Sequence, residues 1–129
     1  MIYNFERDSE SGLIFVTIKL ANRHKLKMVL DTAASSTTID IAALKIEDYQ
    51  IDKKIGASMV ETANGSFEVD VIEVESLSAF GRTVHNMHIS VYDFVARGIL
   101  SDYDGLLGID FFENTVFCID MNNNTIEVK

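Results

Sequence analysis

From residue 13 to residue 128 the apolar side chains come in short runs, several of them alternating with polar ones, and a turn signal follows almost every run. That rhythm belongs to strands. On an extended backbone successive side chains face opposite ways, so a half-buried strand alternates and a fully buried one reads as a short apolar block. Residues 13–20 and 25–30 flank Ala21-Asn22-Arg23-His24 and read as a hairpin, and residues 39–41 read as the next strand. Residues 42–48 hold better helix formers and predict a short helical turn, followed by the polar link Asp52-Lys53-Lys54. Residues 58–62 and 66–74 enclose Ala63-Asn64-Gly65, and Asn-Gly between two such runs predicts a tight hairpin because both residues tolerate positive φ. Residues 83–91 alternate, with Val84, Met87, Ile89 and Val91 as core candidates. Gly98-Ile99-Leu100 opens a further segment, residues 106–108 end on Gly108, and residues 109–114 predict one or two helical turns. A last hairpin, residues 116–120 and 125–128, closes around Met121-Asn122-Asn123-Asn124. The expected class is all-β with one or two short helices.

Composition narrows the setting. A 129-residue chain that is 47% hydrophobic is long enough for a real core and is expected to form a single domain over residues 1–129. No apolar run approaches the ~20 residues of a membrane helix, so no membrane partner is expected. Residues 1–8 lack the basic start and apolar stretch of a secretory signal, and the lone Cys118 allows no internal disulfide, which together predict a reducing, cytoplasmic location. The net charge of -9 argues against a nucleic-acid partner. Lys19, Arg23, His24, Lys25 and Lys27 gather locally, but they flank a hairpin turn and read as a solvated edge.

The feature with the most chemical content is Met28-Val29-Leu30-Asp31-Thr32-Ala33-Ala34-Ser35-Ser36-Thr37, an apolar strand that delivers an aspartate to a run of small residues. A carboxylate at the end of a rigid strand is held in place, and small neighbours let another backbone approach. Taken alone, an aspartate at a strand end is more often an ordinary turn residue. Other constellations read as structural. Asp102, Asp104, Asp110 and Glu113 match part of a calcium loop, yet Leu106 fills a ligand position and Leu107 replaces the required glycine. His85 and His88 read as surface residues, and Cys118 as a small buried hydrophobe. Ser35 and Ser36 have no identifiable base, and no metal or other cofactor is expected.

In this order the segments resemble the retropepsin-like aspartic proteases, over residues 13–128. Residues 30–35, Leu-Asp-Thr-Ala-Ala-Ser, resemble the catalytic D-[TS]-G-[AS] loop, and the hairpin tipped by Ala63-Asn64-Gly65-Ser66-Phe67 resembles the flap over a bound peptide. Leu106-Leu107-Gly108 is similar to the strand that supports the loop, and residues 108–128 are similar to the helix and closing hairpin of one pepsin lobe. The resemblance implies a closed, barrel-like acid-protease fold with one lobe per chain. It implies Asp31 as the catalytic residue, Thr32, Ala33 and Ala34 as the active-site loop, and Thr62, Ala63, Asn64 and Gly65 as the flap that grips an extended peptide or unfolded protein segment. Ile39, Phe67, Val69 and Leu106 are the specificity-pocket candidates.

Peptide hydrolysis without a metal or covalent intermediate needs one carboxylate to take a proton from water and a second, protonated, to polarise the carbonyl. Only one such loop occurs here, so the expected enzyme is a homodimer with one Asp31 from each subunit at a two-fold axis. Ala33 replaces the family's usual glycine, with strain expected if that residue needs positive φ, and it supports the alternative of a catalytically weak or inactive peptide-binding or dimerisation module of the same fold. Ser35 and Ile109 replace an Asp-Arg pair of retroviral members, which points to a dimer held differently, through the hairpin at residues 116–128. Ala34 stands where pepsin-like lobes often carry a hydroxyl donor to the ionised carboxylate, which implies activity nearer neutral pH than pepsin's. A pH profile of peptide cleavage is expected to show this; a sole optimum in strong acid contradicts it.

Overall fold

The computed structural model describes residues 1–51, 54–63 and 65–129. Its strands are β1 (Ile2–Asn4), β2 (Glu6–Arg7), β3 (Ile14–Leu20), β4 (His24–Leu30), β5 (Thr38–Asp40), β6 (Lys54–Thr62), β7 (Gly65–Ala79), β8 (Arg82–Tyr92), β9 (Gly105–Leu107), β10 (Phe117–Asp120) and β11 (Thr125–Val128). Among the described residues they are joined by one α-helix, α1 (Ile41–Ile46), and by 3-10 turns at Val95–Arg97 and Ile109–Phe112.

The expected first hairpin forms as β3 and β4. Ala21 (φ 50) and Asn22 (φ 58) both take left-handed backbone, and the Arg23 N–H donates to the Leu20 carbonyl at 3.1 Å. This is the mirror-image turn that matches the twist of the flanking strands. Val16, Ile18 and Leu20 on β3, and Leu26, Met28 and Leu30 on β4, are buried. β3 also pairs with β7, Leu20 opposite Leu77, so the ladder β3-β4-β9-β5-β8-β7 returns to β3 and closes a six-stranded barrel. Closure leaves the ring without an open edge. Its filling includes Ile39, Ile72, Val74, Leu77, Ile89 and Leu107, all nearly or fully inaccessible.

The decisive topological step is the placement of β9. This three-residue strand runs parallel to β4 (Val29 opposite Leu106) and antiparallel to β5 (Thr38 opposite Leu106), lying between the strands on either side of residues 31–37. The loop therefore has to pass over the end of a strand from far along the sequence. Gly105 permits the fit: a Cβ there would meet the Thr38 carbonyl oxygen, the Met28 Cε methyl at 2.9 Å and the Ile39 Cα at 3.0 Å. The helix starts one residue earlier than expected because Asp40 caps it, its Oδ1 accepting from the Ala42 N–H at 3.2 Å and from the Phe94 N–H at 3.3 Å.

A second sheet, ordered β1-β11-β10, packs beside the barrel. Stacked rings join them: Phe112 lies 4.1 Å from Phe117 and 6.2 Å from Phe80, which in turn meets Tyr3 at 6.0 Å. β1 and β2 fall outside the segments predicted as strands, and Phe5 between them joins the core. Residues 98–100 do not open a strand. Gly98 takes left-handed backbone at the end of the Val95–Arg97 turn, and Leu100 is exposed. Cys118 is exposed rather than buried, because alternation on β10 turns Phe117 and Ile119 inward and Cys118 out. His85 and His88 are exposed, as expected. Asp52 and Lys53 of the polar link lie outside the described residues. No helix among the described residues is long and apolar enough to cross a membrane.

Since the atoms crowding Gly105 are mostly backbone, Gly105→Ala is expected to lower unfolding free energy by about 2–3 kcal/mol. A urea titration reads this directly, and an unchanged midpoint contradicts the close approach.

Candidate active site

Asp31 follows the last residue of β4 and is fixed through its own main chain. Its N–H donates to the Leu107 carbonyl at 3.0 Å and its carbonyl accepts from the Ala34 N–H at 3.1 Å. Its carboxylate Oδ1 accepts from the Ala33 N–H at 2.9 Å, forming an Asx-type turn. Ala33 does not take positive φ, so the methyl group carries none of the strain expected of it.

The far end of the loop is tied by a group absent from the sequence-based site. Thr37 is fully buried, and its hydroxyl oxygen accepts from the Gly108 N–H at 3.0 Å while donating to Asp110 Oδ1 at 2.7 Å. The Thr37 N–H donates to the other oxygen, Oδ2, at 2.9 Å. Asp110 thus clamps main chain and side chain of one loop residue with both carboxylate oxygens. Gly108 lies so close beneath the loop that a Cβ would come within 2.7 Å of the Ala34 carbonyl oxygen and 2.8 Å of the Ser36 carbonyl carbon. Ile109 adds an N–H bond to the Ala34 carbonyl at 2.9 Å. Together these contacts give residues 31–37 a rigid floor. Asp104 is likewise committed, accepting from the Lys27 N–H at 2.8 Å, so two members of the partial calcium pattern are structural carboxylates.

Above this floor lies a cleft of about 630 Å³, lined by Asp31, Ala33, Ala34 and Thr38, by Met59 to Thr62, and by Tyr92, Ile99 and Leu106 among others. Asp31 is half-buried and faces this space, and Thr32 and Ala33 are exposed beside it. The opposite wall is the hairpin of β6 and β7, with Thr62 paired to Gly65 and the Thr62 hydroxyl donating to the Gly65 carbonyl at 3.0 Å. Gly65 takes φ 119, which fits the predicted glycine turn. Ala63 is exposed, and Asn64 lies outside the described residues. Burial pushes the Tyr92 phenol up; Tyr103 and Asp40 act in the same direction, and Arg97 opposes them. Tyr92 therefore remains a protonated, half-apolar wall of the cleft throughout the neutral range. Of the pocket candidates, Leu106 lines this cleft and Phe67 flanks the neighbouring cavity, whereas Ile39 and Val69 belong to the core.

Residues 16–111 match the family model described as aspartyl protease. The chain belongs to the aspartyl protease family. No curated protein matches it. Among solved structures it is similar to a retropepsin-like aspartic protease from Rickettsia conorii, at 22% identity and TM-score 0.70, with 99% of this chain and 90% of that one covered. It is also similar to EIAV protease in complex with an inhibitor, at 16% identity and TM-score 0.63, covering 84% of this chain and 93% of that one. The expected retropepsin-like fold is borne out by the closed barrel and these likenesses, and the expected class of enzyme, an aspartic endopeptidase, by the family.

Thr37→Val keeps the shape of the side chain but strands the buried Gly108 N–H and loosens Asp110. It is expected to lower stability by about 2 kcal/mol, with Thr37→Ser losing less than half of that. Chemical denaturation of the two variants checks the ordering.

Proposed function

We propose that this aspartic endopeptidase works as a homodimer, with one lobe over residues 1–129 from each chain and Asp31 from each subunit meeting at a two-fold axis. The observation that carries the proposal is the solvent-facing Asp31 at the floor of the cleft, on a loop tied from below by Thr37, Gly108 and Asp110, with exposed Thr32 and Ala33 beside it. A single copy places one such aspartate in the cleft, and the chemistry calls for two adjacent carboxyls. A two-fold arrangement supplies the second.

In this reading one Asp31 carboxylate accepts a proton from water as the water oxygen attacks the peptide carbonyl. The partner's Asp31, protonated, donates a hydrogen bond to the developing oxyanion. Proton transfer to the amide nitrogen then releases the amine and the acid. The exposed Thr32 would brace the paired loops. Thr62, Ala63, Asn64 and Gly65 of the flap would lie against an extended peptide as an added strand. The outer edge of β10 has no strand partner among the described residues, and Val116 and Met121 near its ends are exposed. This edge is the proposed subunit contact, since an unpaired strand edge is a template for another chain. Exposed Cys118 on the same strand suits a reducing, cytoplasmic setting.

Cleavage of a diverse peptide mixture between about pH 4 and pH 7 tests the proposal, because coupled carboxylates change state in that range. The expected result is cleavage that rises faster than linearly with protein concentration and disappears in Asp31→Asn. A folded, dimeric wild type that cuts nothing would favour the inactive peptide-binding module, for which the Ala33 methyl in the cleft wall is the supporting observation.

A further inference from the structure

The flap strands have little to hold them. Every residue of β6 is exposed except half-buried Val60, and on the facing strand Gly65, Ser66 and Glu68 are exposed as well. Among residues 65–68 only Phe67 is half-buried, and its surroundings are specific. The Arg97 guanidinium lies 4.0 Å from the centre of its ring, while Tyr92 meets the ring edge-on at 5.1 Å. Tyr92 in turn packs 4.8 Å from Phe94, which is buried in the body of the protein.

Both contacts originate from one short, well-tied segment. The Arg97 N–H and the Ile99 N–H both donate to the Phe94 carbonyl, at 3.0 and 2.9 Å, and left-handed Gly98 lets the chain turn back between them. The backbone carrying Arg97 is therefore anchored next to buried Phe94. No carboxylate among the described residues forms an ion pair with Arg97. The ring face is then the principal contact of this cation, and a weakly hydrated, planar guanidinium suits it. The cavity beside this contact, about 490 Å³, shares Thr62 and Ile99 with the Asp31 cleft.

We propose that Arg97 and Phe67 are positioning residues that latch the flap closed over Asp31. The inference rests on the reading of that cleft as the peptide site. An extended substrate enters when the cation leaves the ring, and the contact re-forms as the flap closes on the bound peptide. The contact is present in the free chain and re-forms in the complex, so its loss raises the population of open flap without favouring either side of substrate binding, and KM and kcat change little. A cation–π contact at an exposed site corresponds to about a two- to five-fold shift in such an equilibrium.

Hydrogen–deuterium exchange on the full chain tests the latch without reference to activity, with the β3 and β4 amides as internal standard. In Arg97→Ala the amides of β6 and of residues 65–70 are expected to exchange about two to five times faster than in the wild type, with the standard unchanged. Arg97→Lys should recover part of the protection. Phe67→Leu keeps an apolar side chain but removes the π face, and should match Arg97→Ala. The double variant should then add nothing further, as befits two halves of one interaction. In parallel, KM and kcat of Arg97→Ala for a cleaved peptide should change less than flap exchange does. Flap exchange identical in wild type and Arg97→Ala overturns the latch, as does strict additivity in the double variant. If the wild type cleaves nothing, the exchange data still decide the latch, and only the protease reading fails.

Discussion

The insertion of β9 between β4 and β5 is the constraint on which the rest of the structure depends. It brings Gly105 and Gly108 against the main chain on both sides of the loop at residues 31–37, at distances that no Cβ would tolerate. Once this strand is in place, the Leu107 carbonyl and the Gly108 and Ile109 N–H groups become available to the loop. Buried polar groups need partners, and here the partners come from both segments at once. Thr37 with Asp110 completes the set. The aspartate at the head of the loop is then held by its neighbours' main chain more than by side-chain packing.

Loop and flap are built on opposite principles. The loop is bonded in several directions to buried groups, and its carboxylate is thereby held in one place. The flap is a largely exposed hairpin that, beyond the β7 strand it continues, meets the body through Phe67 against Tyr92 and Arg97. Catalysis by a positioned group requires the first property, and admission of an extended peptide requires the second. The Gly65 turn and the long β7, which runs from the flap into the barrel wall beside β3, connect the two.

Much of this architecture is legible in the sequence because strand alternation and turn chemistry are local. The β3–β4 hairpin, the Gly65 turn, the short α1 and the closing β10–β11 hairpin all follow from patterns within about a dozen residues. What escapes is non-local. Asp110 reads as part of an incomplete calcium pattern because nothing nearby shows that both its oxygens serve Thr37. Cys118 reads as buried because alternation gives the period but not which face meets Phe112. Ile39 and Val69 read as pocket residues and lie in the core for the same reason. Ala33 stands where glycine is usual, and only the backbone reveals that it needs no positive φ. The Phe67–Arg97 contact joins residues with no sequence relation at all.

A two-fold site with one Asp31 from each chain makes a demand that can be tested by subunit mixing. Wild-type chains are equilibrated with an equal amount of Asp31→Asn chains at fixed total concentration, well above the point at which dimers form, and cleavage of one peptide is followed. If both aspartates are needed, random pairing leaves about one quarter of the dimers intact, and activity falls to about one quarter of the undiluted value. Activity that falls only to one half would mean that each chain works alone, and would contradict the shared site.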